Sequence, residues 1–173
     1  VNFSRWDCTL EPCEGGFLAV RLGLRMVRDL ANADAAAIVA ARMGDPFASV
    51  EEIQRRALVG AGALDRIGQA DGFGSLGDTR RSGLWEVKAL RDAPLPLFLA
   101  ADEREGKLRP EALEPVVELV PMGEGQEVVE DYRATSLSLR AHPLAFLRDE
   151  LAARKVRPCS DLMGMKDGRW IDL

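Results

Sequence analysis

The 173-residue chain holds one histidine, one tyrosine and three cysteines, and this scarcity removes whole classes of chemistry. A catalytic triad would have to be centred on His142, yet no serine or cysteine elbow and no orienting carboxylate accompanies it. His142-Pro143 therefore reads as a turn entering a helix. Cys8, Cys13 and Cys159 are odd in number and unclustered, which argues against a disulfide framework or a zinc site and suits a reducing cytoplasm. No apolar run approaches the ~20 residues that span a bilayer. Val1 opens no charged-then-apolar leader, so neither a signal peptide nor a membrane partner is expected. A Walker A sequence is missing, and so is an Asp-x-Asp on a strand-like run that could hold two Mg²⁺ ions. Glu130-Asp131 and Asp149-Glu150 fall on helical, solvated patterns. No catalytic, metal-ligating or cofactor-binding residue is assigned.

What is present describes an ordinary globular chain. Hydrophobic residues make up 47% and charged residues 29%, enough apolar material for a core without staples. A domain of this size buries roughly 70% of the surface that its unfolded chain exposes. The net charge of −5 is unfavourable for binding phosphates, but it is unevenly spread. From Arg21 to Arg56 six arginines face five acids, whereas from Ala100 to Asp131 ten acids face three bases. The early half is close to neutral and the acidity is late.

Along the chain, residues 1–20 carry two short apolar runs around Gly15-Gly16, a β-hairpin pattern. From Leu22 the period becomes helical. Leu22, Leu24, Met26 and Val27 suggest a short apolar helix, and Asp34 suggests the cap of a second, Ala35–Arg42. Ser49-x-x-Glu52 is a capping box opening a helix to Ala57. Gly60-Ala61-Gly62 breaks the chain before a helix over Ala63–Ala70. Asp78 or Thr79 caps a helix from Arg80 to about Leu90, with Leu84, Val87 and Leu90 on one face. Ala93–Ala101 holds two prolines and cannot be helical throughout. A short helix at Glu111–Leu119 lies in the acidic connector. Helices are expected at Glu124–Thr135 and Pro143–Lys155, the latter entered by a first-turn proline. Gly168–Leu173 reads as a strand. The expected organisation is 1–92, a β-hairpin with a helix-hairpin-helix unit; 93–122, a proline-containing acidic connector; and 123–173, a helical segment leading onward.

Leu22–Arg42 has the pattern of two short helices joined by a tight turn around one buried apolar residue, Leu30. Such a turn aims backbone N–H groups and the positive end of the second helix at an anion. Candidate phosphate contacts are the backbone at Leu30, Ala31, Asn32 and Ala33, with Arg25, Arg28 and Arg42. The usual Gly-apolar-Gly turn keeps side chains away from the phosphate. Here Asp29-Leu30-Ala31 occupies those positions, with a carboxylate where an anion would sit. Val59–Leu64 is a second candidate hairpin, with Arg55, Arg56, Arg80 and Arg81 near its ends. The alternative is a helical hairpin that touches nothing, with these arginines as solvated charges. Gly72–Gly77 matches G-x-G-x-x-G, but helix rather than strand precedes it, so a dinucleotide site is not expected.

Three stretches carry a resemblance. Gly23-Leu24-Arg25-Met26-Val27-Arg28 resembles the entry to the helix-hairpin-helix unit in the C-terminal half of bacterial C-family, polymerase III alpha-like subunits. Ala70–Arg80 and Asp131–Pro143 resemble two later signatures of that family, in the family's order. Arg80–Trp85, Pro94–Phe98 and Val129–Arg133 are worded most like its error-prone DnaE-type (ImuC-like) paralogue. The resemblance implies a mainly α fold, with the small N-terminal β-hairpin and a C-terminal helical connector leading to an OB-fold outside this chain. It also implies a non-catalytic, DNA-positioning and partner-docking segment of an error-prone, translesion DNA-directed DNA polymerase. The implied partners are primer–template duplex and the ImuB-like proteins of the mutasome, and Mg²⁺ is implied for the intact enzyme alone. In the replicative relatives that the resemblance points to, the corresponding region carries a sliding-clamp motif of the type Gln-x-x-[Leu/Met]-Phe. Pro94-Leu95-Pro96-Leu97-Phe98 stands at that place, so Leu97 and Phe98 keep the apolar anchors while Pro94 replaces the glutamine, and clamp contact is expected to be indirect. The competing reading is a protein-interaction scaffold with little DNA binding of its own.

Overall fold

The computed structural model describes residues 1–90, 119–165 and 168, and these are mainly helical with one small sheet. Strands β1 (Thr9–Pro12) and β2 (Leu18–Arg21) pair antiparallel, with Leu10 opposite Val20 and Pro12 opposite Leu18. Gly15 and Gly16 make the connection at φ of 82° and 78°, a region in which a side chain is strained. The hairpin is where the sequence places it.

The next segment differs from expectation. Leu22–Val27 forms no apolar helix, only a single 3-10 turn at Leu24–Met26. The cause is the N-terminal segment around Arg5 and Trp6. Leu24 and Arg25 donate their N–H groups to the carbonyls of Arg5 (2.7 Å) and Trp6 (3.0 Å). Gly23 lies so close to that backbone that a Cβ would be 2.3 Å from the Trp6 carbonyl oxygen. Helix α1 then runs Asn32–Ala41, starting three residues earlier than the Asp34 cap predicted. Burial of Leu30 pulls Ala31 into extended geometry, so the helix begins at once and Asp34 falls in its first turn, where a carboxylate suits the helix dipole.

Helix α2 spans Val50–Ala57, α3 Ala61–Gln69 and α4 Arg80–Ala89. Ser49 caps α2 by accepting the N–H of Glu52, and Glu52 reaches back to the N–H of Ala48 rather than to Ser49. Thr79 and Ser82 form the reciprocal capping box at the start of α4. Further on, α5 spans Glu124–Thr135, the predicted bounds, and ends at Ser136 in left-handed geometry. Pro143–Lys155 is not one helix. It is a 3-10 turn at Pro143–Leu147, tightened by the Leu144 N–H donating to His142 Nδ1, followed by α6 (Arg148–Ala153). The expected helix at Glu111–Leu119 and the proline segment Ala93–Ala101 lie outside the described residues, as does the predicted final strand apart from Gly168.

The core joins α1 to α4 through Ile38, Val50, Ile53, Leu64, Ile67 and Val87, each contributing about 1.5–3 kcal/mol by leaving water. At its centre is Phe73, 1% exposed, with one glycine on each side. A Cβ on Gly68 of α3 would be 3.1 Å from the ring, and one on Gly83 of α4 would be 2.6 Å from it. The ring therefore sets the spacing of the two helices. Gly72–Gly77 thus serves packing, with α3 rather than a strand before it, a 3-10 turn at Gly74–Leu76 and Gly77 at φ 92°.

Candidate nucleic-acid interface

Two turns in this fold share one local conformation. In the first, Asp29 is left-handed (φ 59°), Leu30 is buried, and Ala31 is the extended cap of α1. In the second, Leu58 is left-handed (φ 54°), Val59 is buried, and Gly60 is the extended cap of α3. Each sequence places a buried apolar residue between a left-handed residue and a helix start. Only the second joins two full helices, α2 and α3.

Their surroundings decide what each can do. The first turn backs onto α5: the Arg28 N–H donates to the Ala134 carbonyl at 2.8 Å, and the Leu30 N–H donates to the Val27 carbonyl at 3.4 Å. The Leu30 backbone, predicted to meet a phosphate, is thus engaged within the protein. Ala31, Asn32 and Ala33 remain exposed at the start of α1. Asp29 pairs with Arg66 of α3 at 3.3 Å, so its carboxylate already has a cation. The second turn stays open. Gly60, Ala61 and Gly62 are exposed, and a Cβ on Gly60 or Gly62 would meet nothing within 4 Å. The first N–H groups of a helix have no intrahelical acceptor, so those of Ala61 and Gly62 face solvent at its positive end. Position for position Leu58-Val59-Gly60 matches Asp29-Leu30-Ala31, so the second turn keeps the last glycine of the Gly-apolar-Gly pattern and the first turn keeps neither.

The predicted arginines separate into two groups. Arg25 is exposed and paired with Asp7 at 2.7 Å, and Arg28 is exposed with Ser136 Oγ at 3.5 Å. Arg55 is exposed in the last turn of α2 and has no ion pair among the described residues. Arg81 donates to the Val120 carbonyl at 2.5 Å. The other three have their guanidinium groups engaged within the protein. Arg42 holds the carbonyls of Val1 (2.5 Å) and Phe3, and burial, then the charge of Arg5, lowers its pKa. Arg56 donates to the carbonyls of Ala41 (2.6 Å) and Asp45 (2.8 Å), pairs with Glu52, and lies 4.6 Å over the Phe47 ring. Arg80 is 2% exposed and is held by Glu127 and Asp131 of α5. Pro94, Leu97 and Phe98 lie outside the described residues.

Among the described residues no group of three or more His, Cys, Asp or Glu is placed to hold a metal ion, and no helix is long and apolar enough to cross a membrane. A family model described as a helix-hairpin-helix motif matches residues 1–83. The error-prone DNA polymerase 2 of Agrobacterium fabrum is 56% identical over 173 residues, covering 99% of this chain. The chain belongs to the error-prone DnaE-type family, as a segment of it. Error-prone DNA polymerase 2 of Rhizobium meliloti is 54% identical over the same length, and the error-prone DNA polymerase of Brucella abortus is 39% identical over 170 residues. The chain spans only 16% of the length of the two nearer of these three relatives and 15% of the third.

Proposed function

We propose that this chain positions DNA within an error-prone, translesion DNA-directed DNA polymerase and has no catalytic groups of its own. The observation that carries this reading is the open tip at Gly60–Ala63, where two unengaged N–H groups meet the positive end of α3. That end carries roughly half a positive charge, and no side chain keeps a phosphate away. Arg55 adds an exposed guanidinium with no ion pair among the described residues, and Asn32 and Ala33 offer a second, less open helix start. The names of the relatives support the polymerase context. Mg²⁺ falls, on this reading, to carboxylates elsewhere in the polypeptide, which acts in the cytoplasm.

With a net charge of −5 the isolated chain binds DNA weakly, and the rest of the enzyme supplies most of the affinity. One tip touches one or two phosphates, so log K falls against log salt with a slope of roughly 1–2. Fluorescence anisotropy with primer–template DNA tests this, comparing the native chain with Gly62→Glu. The variant places a carboxylate at the tip, where it also suits the helix dipole, so folding is kept or improved while affinity drops at least tenfold. Equal affinity of the two chains, or native binding without a salt slope, would refute the tip.

A second reading has the segment docking ImuB-like mutasome proteins, with the sliding clamp reached indirectly and Pro94, Leu97 and Phe98 as its remnant motif. The closed first turn and the inward-facing Arg42, Arg56 and Arg80 favour it. Capture of an ImuB-like protein by a chain that binds no DNA is the result that selects it.

A further inference from the structure

We infer that one face of the β1–β2 hairpin is an internal interface of the intact polypeptide, covered by a part of the polymerase that this chain does not include. The inference rests on the reading of the chain as a segment of a longer enzyme. Opposed residues in an antiparallel pair project to the same side, so Leu10 with Val20 and Pro12 with Leu18 form one apolar face. Leu10, Leu18 and Val20 are 63%, 63% and 62% exposed, and Phe17 beside them is 76% exposed. The opposite face is polar and self-satisfied, with Glu11 accepting from Arg21 at 2.5 and 2.6 Å.

A lone two-stranded hairpin is marginally stable in water and needs a third strand or a helix against its apolar side. None of the described helices supplies that cover, because all four large side chains stay open. Among the described residues both strands are also edges, which leaves their outer backbone groups to offer. The face bears no cation, so DNA is not its occupant. The nearer relatives are about six times longer than this chain, which covers 16% of them, so most of the polypeptide lies outside it. A tethered neighbour acts at roughly millimolar effective concentration, which favours it over a separate molecule.

Hydrogen–deuterium exchange of residues 9–21 in the intact polymerase and in this chain alone provides the test. The expected result is at least tenfold slower exchange in the intact enzyme, abolished there by Leu18→Glu with Val20→Glu. The same pair of substitutions leaves the DNA affinity of the isolated chain unchanged, so this inference and the DNA reading fail separately. Equal exchange in the two proteins, or protection that survives the double substitution, overturns the inference. An isolated chain that dimerises until Leu18→Glu is introduced gives the face to a second copy instead. Protection that appears only on adding another protein gives it to a separate partner.

Discussion

Replacing Arg80 by alanine distinguishes most directly the structural role of this residue from a DNA-binding one. Arg80 is 2% exposed, with Nε 3.3 Å from Glu127 Oε2 and Nη2 paired with Asp131. The Nε contact is close enough for ionic attraction but is too poorly aligned to be a hydrogen bond, and neither atom has a hydrogen-bond partner among the described residues. Removing one member of a buried ion pair costs about 3–5 kcal/mol, because the charges left behind stay unpaired. Here the lower end applies. Arg140 also lies 3.4 Å from Glu127 and 3.6 Å from Asp131, and it is half exposed, so it takes up part of the stranded charge. A loss of about 3 kcal/mol lowers the melting temperature of a chain this size by roughly 6–12 °C. Urea unfolding followed by circular dichroism measures it, with DNA anisotropy on the folded variant alongside. A loss below about 1 kcal/mol, or a DNA defect greater than that of Arg55→Ala without loss of stability, would refute the tie between α4 and α5.

Gly83→Ala places a methyl 2.6 Å from the Phe73 ring and should cost about 1–3 kcal/mol in the same denaturation assay. Leu58→Gly should stabilise by about 0.5–1 kcal/mol, since Leu58 is left-handed and 88% exposed and so loses strain but little burial. Asp29→Gly removes a left-handed carboxylate and frees Arg66, so stability changes little while DNA affinity at low salt rises; unchanged affinity would dismiss the carboxylate as an obstacle. The Glu52 pKa is lowered by the Ala48 N–H and then by Arg56. Its contribution is therefore full above the usual carboxylate value of 4.5 and is lost as pH falls through the lowered one. Glu52→Gln should flatten that acid limb of the stability curve.

Where order is local, the sequence was readable. The period of Glu124–Thr135, the cap at Ser49 and the glycine pair in the hairpin each depend on residues within a few positions. What it hid depends on distant neighbours. Leu22–Val27 has a helical pattern, but Arg5 and Trp6 capture its N–H groups from about twenty residues away. Arg80 looks like a solvated helix-start charge until α5, about fifty residues later, brings Glu127 and Asp131 to it. The two turns were both visible as hairpins. Which of them stays open is set by α5, whose Ala134 carbonyl closes the first.

The ring of Phe73 between two glycines has a mechanical consequence. Tension applied at Gly60–Ala63 travels down α3 to Gly68, where the ring bears directly on α4 at Gly83. Close-packed atoms with no slack transmit such a load instead of yielding to it. From α4 it passes through Arg80 into α5. The three helices are coupled as one lever, so a tug on the tip is felt at Glu127 and Asp131, more than sixty residues away along the chain.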